Sequence, residues 1–319
     1  MATTKDTHTI SELHDGTLLV AGGFNGSYLG DAEVFDPATG VWTRVGKMHF
    51  PRRDHRATVL NDGSVLVTGG CNGSTSASAE LYNPNTRNWT VVGSMAVPRI
   101  AHGAVKLNDG RVLVSGGWYG GTSFSNVEVY NPGTRTWSSV GSMNVARNRH
   151  TMSKLVDGKV LVTGGFGNTW WASAELYDPV ATSWTYVGSM GIAREDHTAT
   201  VLSDGYVLVT GGNNGGGAVK AVHLYNPTPK TWSTVGNLKV GRYKHTSSLM
   251  TNGTVLVTGG YNGTTLRSVE SYNPITKNWT LVGNLVVPRL SHTGSVLADG
   301  RVLLVGGNGN GALDGCELY

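Results

Sequence analysis

Residues 51–95 read PRRDHRATVLNDGSVLVTGGCNGSTSASAELYNPNTRNWTVVGSM, and this stretch decides the fold. Asp62-Gly63 lies between the apolar runs around Val59-Leu60 and Val65-Leu66-Val67. Asp-Gly in that setting is a two-residue hairpin signal, with both central residues expected at positive φ. One strand, A, is therefore expected from His55 to Leu60 and a second, B, up to Gly69-Gly70, where the chain bends or packs closely. A third, C, carries Glu80-Leu81-Tyr82 and ends at the Asn83-Pro84 turn. A fourth, D, starts at Trp89 and ends near Val92-Gly93-Ser94-Met95.

The same pattern recurs along the chain. Gly-Gly pairs in register start at Gly22, Gly69, Gly116, Gly164, Gly211, Gly259 and Gly306, 47 or 48 residues apart. His8, His55, His102, His150, His197, His245 and His292 share one register. A basic residue stands three positions before each: Lys5, Arg52, Arg99, Arg147, Arg194, Arg242 and Arg289. Trp42, Trp89, Trp137, Trp184, Trp232 and Trp279 follow the turn prolines by five residues. Four short strands per copy, no helical period and a period of this length predict an all-β, seven-bladed β-propeller of four-stranded antiparallel blades. The copies are 1–48, 49–95, 96–143, 144–190, 191–238, 239–285 and 286–319, forming one domain over 1–319. The last copy has no Trp and no D strand, so its blade is expected to have three strands. Its open C edge is then a place where another chain could pair.

Arg-x-x-His, Gly-Gly, Glu-x-Tyr and Trp, in that order and spacing, resemble the kelch repeat, and the resemblance runs over essentially the whole chain. It implies a binding scaffold in which arginines of this kind contact acidic peptides. Some similar propellers are copper-radical oxidases, with a Tyr two residues after the blade Arg. Here Thr7, Asp54, Ala101, Arg149, Asp196, Lys244 and Ser291 stand at those positions, and none is Tyr. No copper or other cofactor, no metal site and no catalytic set is expected.

Composition narrows the function classes. Charged residues make up 14 % and the net charge is +4, with the basic excess spread over the repeated Arg rather than a patch or tail. Nucleic acid is not an expected partner. Neither is a membrane, since no run is long enough to span one. The first nine residues contain no apolar leader, and Cys71 and Cys316 are placed too far apart to bridge. Localisation is left open, with the cytoplasm favoured.

Loop lengths point to one face. Strands A and C run opposite to B and D, so the D–A and B–C loops share a face. From each Trp to the next Gly pair the distance is always 27 residues, whereas from Gly pair to Trp it is 20 or 21. All length variation therefore lies between B and C, and variation confined to one face marks a binding face. The residues after Gly-Gly (Phe24, Cys71, Trp118, Phe166, Asn213, Tyr261, Asn308) vary, as do those between Arg and His.

The candidate ligand-binding residues are Arg52, Arg99, Arg147, Arg149, Arg194, Arg242, Arg289, Trp118, Tyr119, Trp170, Trp171, Tyr243 and Tyr261. The arginines have two readings. They either pair with the strand C glutamates or form a guanidinium ring at the channel mouth. Copy five has His223 in place of Glu, so Arg194 or Arg242 is expected to be the freer. The register histidines are read as structural, and His14, His49 and His223 as surface residues. A protein or acidic peptide is the leading partner class and a carbohydrate the second. A cofactor-independent mutarotase-like enzyme, for which Glu195 and Asp196 would supply acids, and a purely structural scaffold from recent duplication or engineering stay open.

Overall fold

The computed structural model describes residues 1 and 3–319. Six four-stranded antiparallel sheets and one three-stranded sheet form seven blades. In blade 2 the strands are Arg56–Val59 (A), Val65–Thr68 (B), Ala79–Asn83 (C) and Asn88–Val92 (D), hydrogen-bonded in that order. Blade 7 consists of Thr293–Val296, Val302–Val305 and Cys316–Leu318. A two-residue hairpin, Trp118–Tyr119 against Thr122–Ser123, is added in the B–C loop of blade 3. The A strands lie innermost, each beside the A strand of the next blade, and Thr9–Glu12 beside Thr293–Val296 completes the circle.

Strand B is buried in every blade, and its two faces serve two junctions. Leu19 and Ala21 pack against Val65 and Val67 of blade 2. Leu18 and Val20 pack against Leu303 and Val305 of blade 7. That is why these strands read as continuous apolar runs rather than alternating ones. Four of the D-strand tryptophans, Trp89, Trp137, Trp184 and Trp232, bind the blade before: Trp89 Nε1 donates to the Gly46 carbonyl at 2.7 Å and Trp137 Nε1 to that of Gly93 at 2.6 Å.

The Gly-Gly pairs sit where blades touch. A Cβ on Gly22 would fall 2.7 Å from the Arg52 carbonyl oxygen and 2.6 Å from His55 of the next blade. One on Gly23 would meet the Asp6 carbonyl of its own blade at 2.7 Å. The Gly23 N–H donates to the Arg52 carbonyl at 2.8 Å, and across the closing junction Gly307 donates to Lys5 at 2.9 Å.

The A–B hairpins form as expected, but the turn differs. Only the glycines take positive φ, as in Gly63 at 82°. Leu60 donates to Ser64 at 2.8 Å across a three-residue loop, a type I turn closed by a left-handed glycine. The reason lies in the aspartate: Asp62 Oδ1 accepts from the Ser64 N–H at 3.0 Å and its hydroxyl at 2.6 Å. That pair of bonds holds Asp62 out of the left-handed region.

Candidate functional site at the channel mouth

Each loop from D to A delivers one residue to the rim of the channel. Thr7, Asp54, Ala101, Arg149, Asp196, Lys244 and Ser291 all have φ between 50° and 54°. Such a conformation costs an L residue about 1–2 kcal/mol. A closed circle of backbone bonds holds it in place: each N–H donates to the carbonyl of the equivalent residue one blade back, at 2.8–3.5 Å. Thr7 donating to Ser291 at 3.3 Å completes it. The seven side chains thereby ring a cavity of about 610 Å³.

A second ring surrounds the first. The residue after each basic residue bridges the residue after Gly-Gly: Asp6 with Phe24, Arg53 with Cys71, Ile100 with Trp118, Asn148 with Phe166, Glu195 with Asn213, Tyr243 with Tyr261, Leu290 with Asn308. Two series that are separate in sequence thus become one surface of seven pairs.

The charges at the rim are mixed. Arg149 Nη1 lies 3.2 Å from Glu195 Oε2 and 4.0 Å from Asp196 Oδ2. Partial desolvation at the rim opposes the charge on the exposed Arg149, but Asp196 and Glu195 outweigh it and hold its pKa up. Burial raises the Asp54 carboxyl, against the pull of Arg53 and Arg56. It raises Asp196 as well, against Arg149 and Lys244. Arg53 stacks over Phe24 with its guanidinium carbon 4.6 Å from the ring centre.

The repeated arginines are not at the mouth. Arg52, Arg99, Arg147, Arg194, Arg242 and Arg289 are at most 1 % exposed, which corrects the expected guanidinium ring. Arg52 shows the reason: Nη1 donates to the Gly69 carbonyl at 2.6 Å, and Nη2 to Glu80 Oε1 at 2.9 Å within the same blade. Arg99–Glu128, Arg147–Glu175, Arg242–Glu270 and Arg289–Glu317 repeat this pairing, with Lys5–Glu33 as the lysine version. Arg194 is no freer than the rest. It donates to His223 Nδ1 at 2.9 Å and to the carbonyls of Gly211 and Ala221 at 2.8 Å. His223 is buried, not on the surface.

The remaining candidates differ among themselves. Trp118 and Tyr119 are exposed on their hairpin, and Arg149 is exposed at the rim. Tyr243 and Tyr261 are half-buried and meet edge to face at 5.5 Å. Trp170 is half-buried and donates to Glu195 Oε1 at 3.2 Å. Trp171 is anchored to the Ala146 carbonyl at 3.0 Å. Asp54 and Lys244 were not among the candidates, although their register, two after the basic residue, holds the whole inner ring.

The register histidines join blades. His55 Nε2 lies 3.0 Å from Thr9 Oγ1, and His8 Nε2 lies 2.8 Å from Thr293 Oγ1 across the closure. Burial, then the nearby basic residue, pushes His8, His197 and His292 down to about 3.

Residues 7–193 match the KLHDC2/KLHL20/DRC7 Kelch-repeats domain, and residues 242–285 match the Kelch motif. No curated protein matches the chain. A solved structure with the same fold is a fungal alcohol oxidase of the AA5 family in complex with copper. It is 21 % identical over 96 % of this chain and 70 % of that one, with a TM-score of 0.81. The residues present here do not fit a copper-radical centre. The inner ring holds no Tyr, and every register His Nε2 is engaged by a Thr or Ser hydroxyl, as in His102–Thr68 and His150–Ser115 at 3.0 Å. Among the described residues, no three His, Cys, Asp or Glu side chains converge as metal ligands would. The repeat residues, the seven blades they build and the profile over 7–193 place this chain in the kelch-repeat β-propeller family.

Proposed function

We propose that this propeller is a non-enzymatic binding scaffold whose partner, a protein or acidic peptide, docks on the mouth formed by the D–A and B–C loops. Kelch propellers are in general protein-binding scaffolds. The observation that carries the reading to this face is the meeting of the two variable series in bridged pairs around the 610 Å³ cavity. A fixed frame with seven interchangeable pairs suits recognition, because contacts can change without disturbing the blades. Lys244 is exposed and makes no ion pair among the described residues, and Arg53 presents a stacked guanidinium beside Asp54. These two, rather than the buried arginine series, would meet acidic groups of the partner, and Tyr243 with Tyr261 would supply aromatic contact area.

A peptide library displayed on phage and selected on the propeller tests this. Enriched peptides should bind at least tenfold more weakly to Tyr243→Ala or Lys244→Ala and weaken with added salt. Val180→Ser, in a C–D turn on the opposite face, should change nothing. Peptides that tolerate both mouth substitutions but lose binding with Val180→Ser would move the site to the other face.

The exposed Trp118 and Tyr119, at 38 % and 45 %, favour carbohydrate as a second reading, since flat aromatic faces suit sugar rings. Glycan-array hits that disappear with Trp118→Ala and persist in Lys244→Ala would select it.

A further inference from the structure

The first residue after each register histidine faces the channel. Thr9, Thr151, Thr198, Thr246 and Thr293 occupy this position in five blades. Their hydroxyls each lie 2.8–3.1 Å from the Nε2 of a neighbouring blade's histidine. Gly103 occupies it in blade 3. Blade 2 alone places a cation there, Arg56.

Arg56 is held but not neutralised. Its Nε donates to the His102 carbonyl at 2.8 Å, which ties the guanidinium toward blade 3. Neither Nη atom has a hydrogen-bond acceptor among the described residues, and no carboxylate lies within 4.0 Å of them. Arg56 lines both the mouth cavity and a space of about 460 Å³ beneath it. Asp54 and Asp196 attract it only from longer range. Arg56 is half-buried in the channel wall, and its two Nη donors, with no protein acceptor and no counter-charge in contact, are free to meet an anion.

We propose that Arg56 holds a small free monocarboxylate inside the channel, below the mouth. The two Nη donors form a planar fork that matches the two oxygens of a carboxylate through parallel N–H···O bonds. Ala57, Ala104 and Met152 line the same space and offer apolar wall to a tail of a few carbons. This site lies deeper than the mouth surface and does not depend on a partner docking there.

Propionate is the probe, and its NMR line broadening on the full chain gives the affinity. Arg56→Thr installs the residue that five other blades carry, so the blade is expected to fold. It should weaken propionate binding at least tenfold. Arg56→Lys, which keeps the charge but loses the fork, should weaken it severalfold. Propionamide, neutral and of the same shape, should not compete. Equal broadening with the native chain and Arg56→Thr, or with propionamide, overturns the site. If Arg56→Thr does not fold, an unchanged affinity in Arg56→Lys overturns the bidentate assignment. A blocked acetyl-Gly-Glu-Gly-amide that binds at least tenfold more tightly than propionate would overturn the free-anion assignment and make the ligand a peptide side chain.

Discussion

Gly69 measures how little room a blade junction leaves. A Cβ there would fall 2.5 Å from the Arg99 carbonyl oxygen and 2.7 Å from His102 Cε1, at a φ of 62°. The oxygen belongs to backbone and cannot swing away. Overpacking costs about 1–3 kcal/mol and left-handed φ about 1–2. Gly69→Ala should therefore lower unfolding free energy by about 3 kcal/mol in urea titrations. Gly253→Ala separates the two contributions, because Gly253 has a φ of 81° and nothing within 4 Å of its Cβ position. It should cost only about 1–2 kcal/mol; equal losses at the two positions would mean that strain, not contact, explains the Gly-Gly pairs. That these glycines mattered was legible in the sequence, since they recur in fixed register. The seven left-handed residues of the inner ring were not. Thr7, Ala101 and Ser291 have no local signature for positive φ; the closed circle of backbone bonds enforces it, and that circle exists only when all seven blades are in place.

Within a blade, the Arg–Glu pair fastens the D–A loop to strand C. Glu80 accepts from Arg52 and also from the His49 and Phe50 N–H groups, at 2.7 and 3.0 Å. The sequence offered this pairing and the mouth ring as alternatives, and it could not choose. Direction decided it, because Arg52 leaves the backbone two residues before the left-handed Asp54 and turns inward while Asp54 turns to the channel. Blade 5 breaks the scheme with His223. A guanidinium only donates, so His223 Nδ1 must accept from Arg194 as the neutral ring, and burial followed by Arg194 pushes it down to about 4. Losing the carboxylate leaves Arg194 with no charged partner, and burial lowers it to about 10. His223→Glu restores the carboxylate that the other six blades carry. It should raise stability by about 1–2 kcal/mol, the gain expected from charge-assisted bonds to a cation already buried. A denaturation midpoint that stays level or falls would show that blade 5 has repacked around the imidazole.

Around the whole ring, seven buried histidines make the fold sensitive to acid. Each lies between two blades, and His8 against Thr293 spans the junction where the chain's first and last blades meet. Burial comes first among the causes that lower all seven, and His8, His197 and His292 come down to about 3 from an ordinary 6.5. The unfolded chain takes up these protons as pH falls below 6.5 while the folded chain refuses them. Full stability is therefore present above that value and is lost progressively as pH drops toward 3. Between pH 6.5 and 5.5 each such histidine removes about 1 kcal/mol, so the three with the values above remove about 3 together. Asp54 and Asp196, raised by burial, act in the opposite direction, but they are two groups against seven. Domain stabilities are about 5–15 kcal/mol, so cooperative unfolding should begin near pH 5, above the ordinary carboxylate range. Urea titrations at half-unit steps from pH 7.5 to 4.5 test this through the slope of stability against pH. A slope equivalent to three or more protons taken up on unfolding is expected below pH 6. A flat profile down to pH 5 would mean that the histidines protonate in the folded ring, with their Nε2 bonds to threonine surviving the charge.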